Sequence, residues 1–154
     1  MVFLGVAIIR PSKGTSATPY ERLTSVLTSV LTPAEQHFYK VLSSVIKDHA
    51  IIMAKVRIAD LVKVRRSIGK QYFWQHFSKI SQKHIDYVLI DPDTFETICL
   101  IELDDKSHNH FKRNQRDRFV NQVMEQTGIP LYRFRVQRRY DRKVIFQTLA
   151  MCFK

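Results

Sequence analysis

Long apolar runs are missing from this sequence. No stretch approaches the roughly 20 apolar residues that a membrane-crossing helix needs. Met1 to Ile9 is apolar but too short, and it lacks the basic start of a signal peptide. Cysteine is scarce. Cys99 and Cys152 are the only two, and their spacing does not suit a metal. Both are expected to be reduced core residues of a cytoplasmic protein, with membrane association through a longer N-terminus left open. Internal repeats are absent as well. Acid is the last shortage: 14 Asp and Glu stand against 25 Lys and Arg, for a net charge of +11.

The missing acid is missing from one half. Residues 1–105 carry 13 Lys/Arg against 11 Asp/Glu, whereas residues 106–154 carry 12 against 3. A basic half suits a polyanionic partner, and nucleic acid is the common one. A solvated basic face with a role in solubility only is the plainer alternative. With 154 residues, the chain has the size of one domain. Residues 1–30 read as an apolar segment and flexible linker, and residues 31–154 as a single domain.

A first helix starts at Thr32-Pro33-Ala34-Glu35, a capping box with proline at the first helical position. Phe38, Val41, Leu42, Val45 and Ile46 continue it at helical spacing. Ile51 to Arg57 reads as a strand. Residues 58–80 hold an aromatic cluster, Tyr72, Phe73, Trp74 and Phe77, in short helical or irregular pieces. A second long helix is expected over about 111–127, with Phe119, Val120, Val123 and Met124 as its stripe and Gly128 and Pro130 as its stop. Leu131 to Val136 alternates as a strand. A last helix over about 139–151 is expected to bury Val144, Ile145 and Leu149.

The densest information lies in residues 84–105. Two β-branched runs flank Asp91-Pro92-Asp93-Thr94, which reads as a hairpin. A turn centred near residue 94 sets Asp86 across from Glu102 and His84 across from Asp104. Facing Cβ atoms in such pairs sit about 5 Å apart, and like charges there are destabilising. A divalent cation that neutralises them is the simplest reason to keep them. Val88, Ile90, Ile98 and Leu100 share the acidic face and imply that it is covered. A solvated edge hairpin is the alternative.

The order αβββαβ, an Asp on the second strand and Glu-x-polar on the third resemble the PD-(D/E)XK, restriction-endonuclease-like nucleases over roughly residues 32–140. Closer still, Leu31-Thr-Pro-Ala-Glu-Gln-His-Phe-Tyr39, Lys83-His-Ile-Asp-Tyr-Val88, Ile101-Glu-Leu-Asp-Asp105 with His108, Arg116-Asp-Arg118 and Gly128-Ile-Pro-Leu131 resemble the blocks of a bacterial family, domain of unknown function 2726. The arrangement is also similar to very-short-patch repair endonucleases. The resemblance implies an α/β fold: a restriction-endonuclease-like αβββαβ core with a mixed four-stranded sheet flanked by helices. It also implies Mg²⁺ or Mn²⁺ as cofactor and nucleic acid as partner, DNA ahead of RNA.

Carried over by residue, the resemblance makes Asp86 and Glu102 metal ligands, with the Leu103 carbonyl available to the ion. Asp104 stands where the superfamily has lysine, so either Asp104 is a further ligand or Lys106 or Lys83 reaches in. The motif's proline is absent before Asp86, where Ile85 stands, and Pro92-Asp93 sits at the hairpin tip as a decoy. Glu35 is either a capping residue or an acid near the metal. His108 is either a general base near the ion or an exposed loop residue, and His110 is read as surface. His84 is expected to support the site by pairing with Asp104. Asp117 faces the sheet and would orient the site through His108 or Arg118. Lys112, Arg113, Arg116 and Arg118 are the candidate phosphate contacts at the start of the second helix. The catalytic set is thus Asp86, Glu102, Asp104 and His108, for a metal-dependent nuclease. The alternative is a non-catalytic nucleic-acid-binding module that retains the fold.

Overall fold

The computed structural model describes residues 29–104 and 110–153; the side chains of Ile68 and of residues 110–117 lie outside the description. The described elements run α1 (Pro33–Ile46), β1 (Ile51–Arg57), α2 (Ile58–Leu61), α3 (Lys70–Ser81), β2 (His84–Ile90), β3 (Thr97–Asp104), α4 (His110–Thr127), β4 (Leu131–Arg135) and α5 (Arg142–Ala150), with 3₁₀ turns at Lys47–His49 and Arg66–Ile68. They belong to the compact unit Leu31–Lys154.

The four strands form one sheet in the order β1-β2-β3-β4. The first two pairings are antiparallel and β3 to β4 is parallel. A parallel neighbour needs a crossover, and α4 supplies it. Helices cover both faces, so the fold is a mixed α/β sheet flanked by helices. Phe38, Leu42 and Ile46 of α1 and Ile145 and Leu149 of α5 bury against Tyr87, Leu89, Cys99, Ile101 and Leu103. On the other face Ile58, Ile80, Val120 and Met124 bury against Val88 and Leu100.

Local chemistry explains most boundaries. Thr32 and Glu35 close the capping box of α1 in both directions, at 3.3 and 2.9 Å. Gly128, at φ +73, takes the left-handed turn that ends α4. In the β2–β3 turn, the Asp91 carboxylate accepts the N–H groups of Asp93 and Thr94 at 2.9 and 2.8 Å.

Three expectations are corrected. Residues 70–80, read as short helical or irregular pieces, lie in the single 12-residue helix α3. The last helix is shorter than read, because Asp141 caps it by accepting from Lys143 and Val144, and Val144 then falls on its exposed side. Ile98 packs against the α1/α5 cluster and not on the acidic face. An irregularity between Leu89 and Ile90 shifts the pairing there, and a one-residue shift reverses which face a side chain takes.

Candidate functional site

The site begins with a break in strand periodicity. Residues two apart on a strand share a face. On β1, however, Ala54 packs with the α1/α5 cluster and Val56 with the opposite one. On β2, Tyr87 and Ile85 divide in the same way. Lys55 lies between the first two residues and Asp86 between the second two. Lys55 has φ +56, a left-handed backbone inside a strand. The two strands pair from Ile51–Ile90 to Ala54–Tyr87 and again at Val56–Ile85. Lys55 and Asp86 face each other across the step between.

At this step the lysine bridges two acids. Lys55 Nζ donates to Glu35 Oε1 at 2.6 Å and to Asp86 Oδ1 at 2.8 Å. The second Asp86 oxygen accepts the Leu103 N–H at 2.9 Å. A side chain thus takes a β3 amide just beyond Tyr87–Ile101, the innermost pair of the β2–β3 ladder. The ladder ends at Tyr87–Ile101, one step short of the Asp86–Glu102 pair that the hairpin reading expects. Asp86 and Glu102 are both buried, at 9% and 7% exposure.

Glu35 serves two purposes. One oxygen closes the helix cap and the other holds Lys55. Burial pushes its carboxyl up, but Lys55 and the Thr32 amide outweigh it and hold Glu35 below its usual range. Burial likewise pushes Lys55 down, but Asp86 and Glu35 raise it overall, so the ammonium stays charged. Beneath them the Tyr87 hydroxyl donates to the Glu35 carbonyl at 2.6 Å. Burial, reinforced by Glu35 and Asp86, pushes the phenol well up and keeps it a donor.

The remaining sequence candidates divide. Asp104 lies on β3 with Glu102, and Arg133 of β4 donates to it at 3.4 Å. Arg133 also donates to Asn121 of α4 at 3.1 Å. His84 does not meet Asp104. It pairs with Arg57 on β1, and it is close enough to Asp60 to add to the pull of Arg57 on that carboxyl. Lys83 is placed over the Phe119 ring, 5.7 Å from its centre. Arg118 is exposed on α4. His108 and Lys106 lie outside the described residues, as do the side chains of Lys112, Arg113, Arg116 and Asp117. Among the described residues, no three His, Cys, Asp or Glu side chains converge as a metal cage.

Lys55 and Arg133 were not legible as site residues. Lys55 is the lone cation inside the apolar run Ile51 to Val56, which is a weak signal. Ordinary alternation would turn it away from Ala54 and Val56 and into solvent.

The fold and site therefore define a mixed α/β domain with a lysine-bridged pair of carboxylates at the forked end of its central strands. The chain belongs to a family of proteins of unknown function, DUF2726, whose model matches residues 27–151. No curated protein matches it. No solved structure matches it either.

Proposed function

We propose that this domain is a metal-dependent nuclease of the PD-(D/E)XK, restriction-endonuclease-like superfamily, hydrolysing phosphodiester bonds in DNA ahead of RNA. The carrying observation is Lys55 Nζ held between Glu35 and Asp86, with Glu102 buried on the neighbouring strand β3. The strand order and the α4 crossover support the αβββαβ core, with α2 and α3 inserted between its first two strands.

The donor set suits Mg²⁺ or Mn²⁺. Mg²⁺ uses one or two carboxylates and leaves its other positions to water and substrate phosphate, so a three-residue cage is not required. Asp86 and Glu102 would hold the ion, and it would supply an attacking water of lowered pKa. Lys55 would take the role of the motif lysine that Asp104 displaces from β3. Its ammonium, kept charged by its two carboxylates, would donate to a phosphate oxygen or orient the water. Glu35 fixes the ammonium's position, and the Leu103 N–H fixes the rotation of Asp86. Arg133 neutralises Asp104.

One observation favours the binding-module reading: both Asp86 oxygens are already engaged by the protein itself. Cleavage of single-stranded, duplex and mismatched DNA and RNA, with Mg²⁺, Mn²⁺ or chelator, separates the two. A nuclease loses cleavage in Glu102→Gln, and Lys55→Ala slows it by about 10²–10³-fold, the usual cost of one transition-state donor. A parent that binds these substrates and cuts none of them belongs to the second class. Asp104→Lys abolishes cleavage if Asp104 serves the site as it stands. An active Asp104→Lys variant of an inactive parent would mark a decayed nuclease.

A further inference from the structure

Most of the segment joining β1 to β2 carries charge of one sign. From Leu61 to Ile85 it holds Lys63, Arg65, Arg66, Lys70, Lys79 and Lys83 and not one Asp or Glu. Within it, α3 buries Ile80 and packs Phe77 against the core. Two of its other rings stay in water: Tyr72 is 60% exposed and Trp74 56%. Trp74 is braced edge-on by Phe73 and Phe77, with ring centres at 5.3 and 5.9 Å. Helical spacing sets Lys70 beside Trp74 on one flank, and Tyr72, His76 and Lys79 along the other.

A solvated basic helix has no use for an exposed, braced indole, and a purely apolar contact has no use for this charge. Phosphates with open bases need both: cations for the backbone and ring faces for the bases. Duplex DNA would satisfy the cations, but its bases are already stacked. We propose that α3 is a stacking platform for single-stranded nucleic acid. Trp74 takes a base with Lys70 beside it for a phosphate, and Tyr72 with Lys79 offers the same pair on the opposite flank. The inference rests on the reading of the domain as one that acts on nucleic acid, and it names the form of the substrate.

Trp74 is the only tryptophan, so it reports on its own site. The full chain is titrated with oligothymidylate in chelator, where cleavage plays no part. Stacking quenches Trp74 emission, and a duplex of equal length leaves it unchanged. Labelled-oligonucleotide anisotropy then shows Trp74→Ala binding about ten-fold or more weakly. Lys70→Ala and Lys79→Ala each lower the slope of log affinity against log salt by about 0.7. Matching circular dichroism confirms that the variants are folded. Three outcomes overturn the platform: emission indifferent to single strands, equal quenching by duplex, or a change with protein concentration alone, which would mean a second copy covers the helix. Loss of the nuclease reading looks different, with no cleavage under any metal while quenching persists.

Discussion

Lys55 combines a backbone cost with an electrostatic gain. A left-handed non-glycine residue costs about 1–3 kcal/mol and persists only where its surroundings fix it. The two carboxylates are that surrounding, and the side chains involved are only 12–28% exposed. Lys55→Met keeps the bulk and the strain but leaves Glu35 and Asp86 without their ammonium. A loss of about 1–3 kcal/mol is expected, between the values for exposed and fully buried pairs, and urea unfolding would measure it. An unchanged midpoint would show that the bridge contributes nothing. Glu35 titrates below its ordinary 4.5 in the fold, so its contribution is complete above pH 4.5 and drains away as pH falls through the folded value. Lys55 is the mirror case, complete below 10.5 and lost as pH rises through its raised folded value. Glu35→Gln should therefore flatten the acid limb of stability against pH. Parallel acid limbs in parent and variant would contradict the assignment.

At the scale of the element, two devices hold the fork between β2 and β3. Asp86 fills a ladder position with a side-chain oxygen, and α1 is fixed above it by its cap. Asp86→Asn keeps an acceptor for the Leu103 N–H, while Asp86→Ala leaves that buried donor unmet. Alanine should therefore be the worse of the two by about 1–3 kcal/mol in thermal or urea unfolding. The opposite order would mean that the charge, not the amide bond, sets the fork. Thr32→Ala removes the acceptor for the Glu35 N–H. It should cost about 1 kcal/mol and loosen the helix start that carries Glu35 to Lys55.

For the whole molecule, charge asymmetry governs the partner. Residues 106–154 hold 12 of the 25 Lys and Arg and only 3 of the 14 Asp and Glu. If Lys112, Arg113 and Arg116 each meet a phosphate, each replacement by Ala lowers the salt slope on single-stranded DNA by about 0.7. A slope that ignores all three would assign this charge to solubility.

Composition and periodicity determined most elements of this protein, but not α3, whose residues read only as short helical or irregular pieces. The capping box fixed the start of α1, the Gly128 and Pro130 stop fixed the end of α4, and the alternation of Leu131 to Val136 fixed β4, because each signal acts over a few residues. The hairpin register was legible too, since Tyr87–Ile101 follows from a turn centred near residue 94. Only the tertiary structure decided what neutralises the acids. Lys55 is 31 residues from Asp86 and 20 from Glu35 in sequence, and a left-handed residue turns its strand over between Ala54 and Val56. Arg133 reaches Asp104 only because β4 returns parallel beside β3. A period-two reading cannot see a reversal of its own phase, and spacing alone cannot say which distant cation a crossover will bring to a carboxylate.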